Sequence, residues 1–168
     1  MRKIVFFLLV CLLLFSGCAG RRDFLERFAA GYCAQLEGTL YDTPFSAEVS
    51  YRPGEPYPYT LSFYAPETLS GTVLRRAQDG TLTLSSGELE LPVPEEASAG
   101  FSSLFNLLPV SGRSVRVERT KEGYTRVQGE GFSLLFRSDG TPISAENGAA
   151  SAKIISFSEN SFFFLTKK

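Results

Sequence analysis

The sequence predicts an α+β fold: an N-terminal helix, an antiparallel meander of strands, and a second short helix set into that meander. Three observations predict it. Apolar residues between Phe24 and Leu36 recur at three- and four-residue spacings, whereas from Thr39 onward they alternate with polar residues. The joints between the alternating runs carry Asp79-Gly80, Ser86-Gly87, Glu122-Gly123 and Asp139-Gly140, which suit tight hairpins between sequential antiparallel strands. With 168 residues, no internal repeat and no second composition regime, the chain is the size of one domain.

The first residues read as an address. Arg2 and Lys3 precede an unbroken apolar run, Ile4 to Leu14, which Phe15-Ser16-Gly17 joins to Cys18. A positive start, a short apolar centre and small residues before a cut are the plan of a secretory signal peptide, here residues 1–17. The run is too short to cross a bilayer, which takes about 20 apolar residues. Phe15-Ser16-Gly17-Cys18 also resembles the lipobox of bacterial lipoproteins, with Phe15 where that family has Leu. The resemblance implies that Cys18 is alkylated with diacylglycerol, becomes the first residue after cleavage and carries acyl chains such as palmitate. Two or more such chains anchor a protein stably. The expected location is the cell envelope, lipid-anchored on the extracytoplasmic side of a bacterial membrane, with residues 18–22 as a short tether.

Beyond residue 17 the chain has 15 basic and 18 acidic side chains. It has no basic excess of the kind that neutralises phosphates, so no nucleic-acid partner is expected. Cys11 leaves with the signal and Cys18 takes the lipid, so Cys33 has no partner for an internal disulfide. Cys33 shares a helical stripe with Leu25, Ala29 and Leu36, which favours a small buried hydrophobe over a reactive thiol.

The domain, residues 23–168, is then read in order. A helix is predicted over 23–36, with Asp23 as N-cap and Gly38 just past its end. Strands follow at Ala47/Val49/Tyr51, Leu61/Phe63, Leu82/Leu84, Leu89/Leu91/Val93, Val115/Val117 and Phe132/Leu134/Phe136. Arg52 to Pro58 contains three prolines and reads as a loop. Phe101, Leu104, Phe105 and Leu108 form a second helical stripe closed by Pro109, with Glu95 and Glu96 favourably placed before it. This helix is expected to cover the concave face of the sheet. Phe162-Phe163-Phe164-Leu165 fits either a final packed strand or a membrane-touching tail, the packed reading being preferred.

This arrangement resembles the bacterial lipoproteins and lipoprotein-localisation factors of the Lol-carrier type, and the mycobacterial glycolipid-binding lipoproteins of similar architecture. The stretches that carry the resemblance are Phe24–Leu36, the hairpin series from Tyr59 to Leu91, Phe101–Leu108, and Phe132–Ile143 with its Asp139-Gly140 turn. It implies a strongly curved antiparallel sheet, an unclosed half-barrel, with an N-terminal helix and a short helix over the concave side. It also implies an apolar ligand, a lipid or acyl chain, in the groove.

No enzyme is expected. The chain has no His, which removes the commonest general base and metal ligand, and it shows no nucleophile elbow or phosphate loop. Neither a metal nor a cofactor is expected. Glu88 and Glu90 have a strand spacing within the range of paired glycosidase carboxylates, but a solvated strand face explains them better. Arg75-Arg76 and Arg113/Arg116/Arg119 fit an anion-attracting patch and edge-protecting charges equally.

What stands out is apolar supply: 12 of the 15 Phe lie beyond residue 17. Phe63, Leu84, Leu91, Phe101 and Phe105 are the candidate ligand-contacting residues, and Cys18 is the lipidation site. Two readings follow. One is a membrane-anchored lipoprotein that binds a lipid or acyl chain in a curved-sheet groove. The other is a structural or adaptor lipoprotein with a packed core and an unidentified protein partner.

Overall fold

The computed structural model describes residues 27–109 and 115–159. The expected signal peptide, Cys18, the expected tether, Asp23, Arg113 and the Phe162–Leu165 run lie outside the described residues.

Eleven strands form one sheet: β1 (Tyr32–Leu40), β2 (Thr43–Tyr51), β3 (Tyr59–Ala65), β4 (Thr72–Arg76), β5 (Leu82–Ser86), β6 (Leu89–Pro92), β7 (Arg116–Arg119), β8 (Thr125–Gly129), β9 (Phe132–Phe136), β10 (Pro142–Asn147) and β11 (Ala150–Glu159). Helix α1 (Glu95–Phe105) separates β6 from β7, with Glu95 and Glu96 in its first turn. Negative charge in the first turn is favourable to the helix dipole.

From edge to edge the order is β6-β5-β4-β3-β2-β1-β11-β10-β9-β8-β7, every pair antiparallel. The single meander expected from the turns is therefore corrected. The chain builds two meanders, β1–β6 and β7–β11, and the first and last strands join them at the centre. That seam runs from Tyr32↔Glu159 to Leu40↔Ala150, and no turn encodes it. β6 and β7 do not meet, so the sheet stays open.

The buried side chains lie on one face of this sheet, at alternate positions such as Tyr32, Ala34 and Leu36, or Leu61 and Phe63. A wide sheet with one apolar face curls to bury it, which gives the unclosed half-barrel. Three bulges add twist. Each leaves one unpaired residue: Tyr64 opposite Ser46/Ala47, Ile143 opposite Leu135/Phe136, and Ile155 opposite Gln35/Leu36. Ile155 also shifts the alternation of β11 by one, so Phe157 reaches the inner face and stacks on Tyr32 at 6.0 Å.

The helix expected over 23–36 is corrected from Gly31 onward, and its first residues, 23–26, lie outside the described residues. Residues 27–29 are helical, but Gly31 takes φ +104° and Tyr32 opens β1. A spacing of four satisfies both a helix and a strand, so Phe28, Tyr32 and Leu36 fit either period. Gly31, free to adopt positive φ, decides where the period changes. Cys33 consequently points to the outer face and is half-buried, not a core hydrophobe. Burial pushes its thiol pKa up, and the neighbouring Glu48 adds to this.

Gly38 lies within β1, not past a helix end. A Cβ there would collide with the backbone of Ser151 and Ala152 on β11, so the seam needs glycine for close approach.

Gln78-Asp79-Gly80, Lys121-Glu122-Gly123 and Ser138-Asp139-Gly140 form the same three-residue loop. The third residue donates its N–H to the carbonyl three back, as Gly80 does to Ala77 at 3.0 Å. The glycines take φ of +90°, +87° and +83°. The tight hairpin expected at Asp79-Gly80 is thus a three-residue one, closed by a glycine-bearing bulge. Asp79 and Asp139 accept from the N–H of Thr81 and Thr141, and these bonds hold both carboxyls below the usual carboxylate range.

Candidate functional site

The inner face carries a continuous cross-strand row: Ala34, Val49, Leu61, Leu74, Leu84 and Leu91. Its burial falls off in one direction. Ala34 through Leu74 are buried, Leu84 is half-buried, and Leu91 is 50% exposed. Leu89, two residues earlier on the same face of β6, is 59% exposed. Among the described residues β6 is a free edge, and no further strand covers these leucines. An apolar strip thus runs from the core to open water, and its exposed end is the feature of interest.

Helix α1 sends side chains against residues of that face. The Phe101 and Phe63 rings meet edge-on at 6.3 Å, and Phe105 lies 5.7 Å from Tyr59. Leu104, Phe105, Leu107 and Leu108 are buried. Asn147 ties the helix to the β10–β11 turn: its amide N donates to the Ser103 carbonyl at 2.7 Å, and its Oδ1 accepts from Ala149 and Ala150.

The five expected ligand contacts therefore divide. Phe63 and Phe105 are 2% and 1% exposed and belong to the packed interior. Phe101 is half-buried at its margin, while Leu84 and Leu91 lie on the open strip. Phe63 and Phe101 touch; Leu84 and Leu91 are cross-strand partners. Leu89 was visible as a strand residue but not as a site residue, because alternation reports a face and not whether the strand is an edge. Glu90, on the outer face, pairs with Arg75 at 3.1 Å.

Next to the strip, a tyrosine row crosses one end of the inner face: Tyr32, Tyr51 and Tyr59, followed by Arg76. Tyr51 and Tyr59 lie 4.5 Å apart, and the Arg76 guanidinium sits 5.7 Å from the Tyr59 ring. Burial, with Tyr51 beside it, pushes the Tyr59 pKa up to about 12 against the opposing pull of Arg76.

On the outer face, a shallow polar cleft of about 320 Å³ lies over the central seam. Glu37, Thr39, Ser144, Glu146, Ser151 and Lys153 line it, with the Thr39 and Ser151 hydroxyls 3.2 Å apart. Among the described residues no His, Cys, Asp and Glu side chains cluster so as to hold a metal, and no helix is long and apolar enough to cross a membrane.

No family model matches this sequence, and no curated protein matches it. Solved structures similar to this chain include two at low identity. An uncharacterized conserved protein from Thermus thermophilus is 18% identical, with a TM-score of 0.43 over 82% of this chain and 83% of that one. A LolA superfamily protein from Nitrosomonas europaea is 8% identical, with a TM-score of 0.37 over 82% of this chain and 92% of that one. Neither likeness assigns a function to this chain.

Proposed function

We propose that the protein is an envelope lipoprotein, anchored through Cys18 on the extracytoplasmic side of a bacterial membrane, that binds a lipid or acyl chain and catalyses no reaction. The ligand lies along the open strip of Leu84, Leu89 and Leu91, and α1 closes the concave face beside it. One observation carries the ligand reading: the apolar row of the inner face continues to the β6 edge, where two leucines are at least half exposed. An acyl chain laid there gains about 25 cal/mol for each Å² removed from water. Because the deep interior is filled, the chain binds at the rim and not at the centre. The anchor rests on the signal pattern and the Ser16-Gly17-Cys18 sequence alone.

The adaptor reading is favoured by the full burial of Phe63 and Phe105, which leaves a packed concavity. Titration of the unacylated chain with a fluorescent fatty acid separates the two. On the ligand reading the wild type binds, and Leu89→Ser with Leu91→Ser weakens binding without moving the melting temperature. Absence of binding to the wild type supports the adaptor.

A further inference from the structure

Strand register sorts the turns of the protein to two opposite ends. The row Glu159, Tyr32, Tyr51, Tyr59, Arg76 and Leu82 marks one end. The turns at residues 52–58, 77–81, 120–124 and 137–141 all extend from this end, and so does Arg27. Arg27 bonds to Gly140 and to Glu159, and Gln78 bonds to Glu55 of the proline-rich loop. The opposite end carries the turns at residues 41–42, 66–71, 87–88, 130–131 and 147–149.

The two ends differ in charge. Far from Arg27, the turns hold Asp42, Glu67, Glu88 and Glu130, all exposed, and no Lys or Arg. The Arg27 end holds exposed Arg27, Arg52, Lys121 and Arg137, balanced by Glu55, Asp79, Glu122 and Asp139, with Glu159 paired to Arg27 at 2.8 Å. It also presents two half-open aromatic rings, Tyr57 at 39% and Tyr124 at 38% exposure.

We propose that the end bearing Arg27, Arg52, Tyr57, Lys121, Tyr124 and Arg137 rests against the lipid surface, with the acidic end pointing away. This orientation rests on the anchored-lipoprotein reading. Cys18 is nine residues from Arg27, a reach of about 30 Å at most, so the anchor enters the domain at this end. The acidic end lies a strand length further, also about 30 Å. By these residues the Arg27 end carries four cations against five acids and is close to neutral, whereas the turns of the opposite end carry four acids and no cation, so an anionic leaflet repels the opposite end more and charge selects the same face as the tether.

The chain has no Trp, so single Trp variants report without background. Full-length acylated Tyr57→Trp, Tyr124→Trp and Tyr41→Trp proteins are reconstituted in vesicles of phosphatidylethanolamine and phosphatidylglycerol containing a lipid with a nitroxide headgroup. Tyr57→Trp and Tyr124→Trp lose most of their emission, whereas Tyr41→Trp, 63% exposed at the acidic end in the wild type, keeps its own. Equal quenching at all three positions, or quenching confined to Tyr41→Trp, overturns the orientation. Acyl labelling and vesicle flotation are read on the same samples. An unlabelled protein that fails to float overturns the anchor and the orientation with it. A labelled, floating protein whose Tyr57→Trp and Tyr124→Trp forms are unquenched overturns the orientation alone.

Discussion

The Tyr32 hydroxyl donates a hydrogen bond to the Leu108 carbonyl at 3.0 Å inside the core. Tyr32 opens the central strand, and Leu108 lies three residues past the end of α1. One bond therefore ties the seam of the two meanders to the segment that follows the helix. Both residues are fully buried, so neither group has water as an alternative partner. Replacing Tyr32 with Phe keeps the ring among Phe28, Tyr51 and Phe157 but strands the carbonyl. The expected loss is about 1–3 kcal/mol, measured by urea unfolding. An unchanged midpoint would show that the bond contributes nothing.

The same burial predicts loss of stability in alkali. Desolvation raises the Tyr32 pKa well above its usual value, and Tyr59 is raised to about 12. Below pH 10 both phenols are protonated in the folded and unfolded states, and their contribution is whole. Above the unfolded value of about 10 the unfolded chain releases protons that the folded one retains, so stability falls with rising pH. For Tyr32 the slope approaches about 1.4 kcal/mol per pH unit. Melting between pH 9 and pH 12 should show this decline, and Tyr32→Phe should flatten it.

Gly38→Ala tests the seam. The added methyl meets the Ser151 carbonyl and the Ala152 backbone, neither of which moves without distorting β11. A loss of about 3 kcal/mol or more is expected, as for other overpacked backbones. Gly148→Ala, where a Cβ meets nothing within 4 Å, is the control and should be near neutral.

Phe105→Ala and Leu91→Ser separate core from rim. Phe105 is fully buried against Tyr59, so its truncation should cost about 3–5 kcal/mol. Leu91 is half exposed, so Leu91→Ser should change stability by about 0.5 kcal/mol or less. Calorimetry of the two variants checks the division. If Phe105→Ala melts like the wild type, the interior is loose enough to admit a ligand.

Cys18→Ser should abolish acylation, because a hydroxyl is not the thiol that the transferase alkylates. Metabolic labelling with palmitate should fail, and the protein should leave the detergent phase or accumulate uncleaved. Unchanged labelling would sink the lipoprotein reading.

Alternation in the sequence was enough to find β2, β3, β5 and β9 and to say which side chains of each face inward, since period two follows from strand geometry alone. The glycine-bearing loops were legible for the same reason: positive φ is a local demand. The boundary at Gly31 was not, because Phe28, Tyr32 and Leu36 satisfy two periods at once. β4 and β8 were missed where Arg75-Arg76 and Arg126 interrupt the apolar signal. The pairing of β1 with β11 is a contact between chain ends, chosen by whichever strands close the sheet with the most apolar surface covered. The candidate site depends on that choice. Leu61 and Leu91 look alike in sequence, both apolar in alternating runs. One is buried and the other open because β3 has a strand on either side and β6 has only β5, a difference that exists only once all eleven strands are in place.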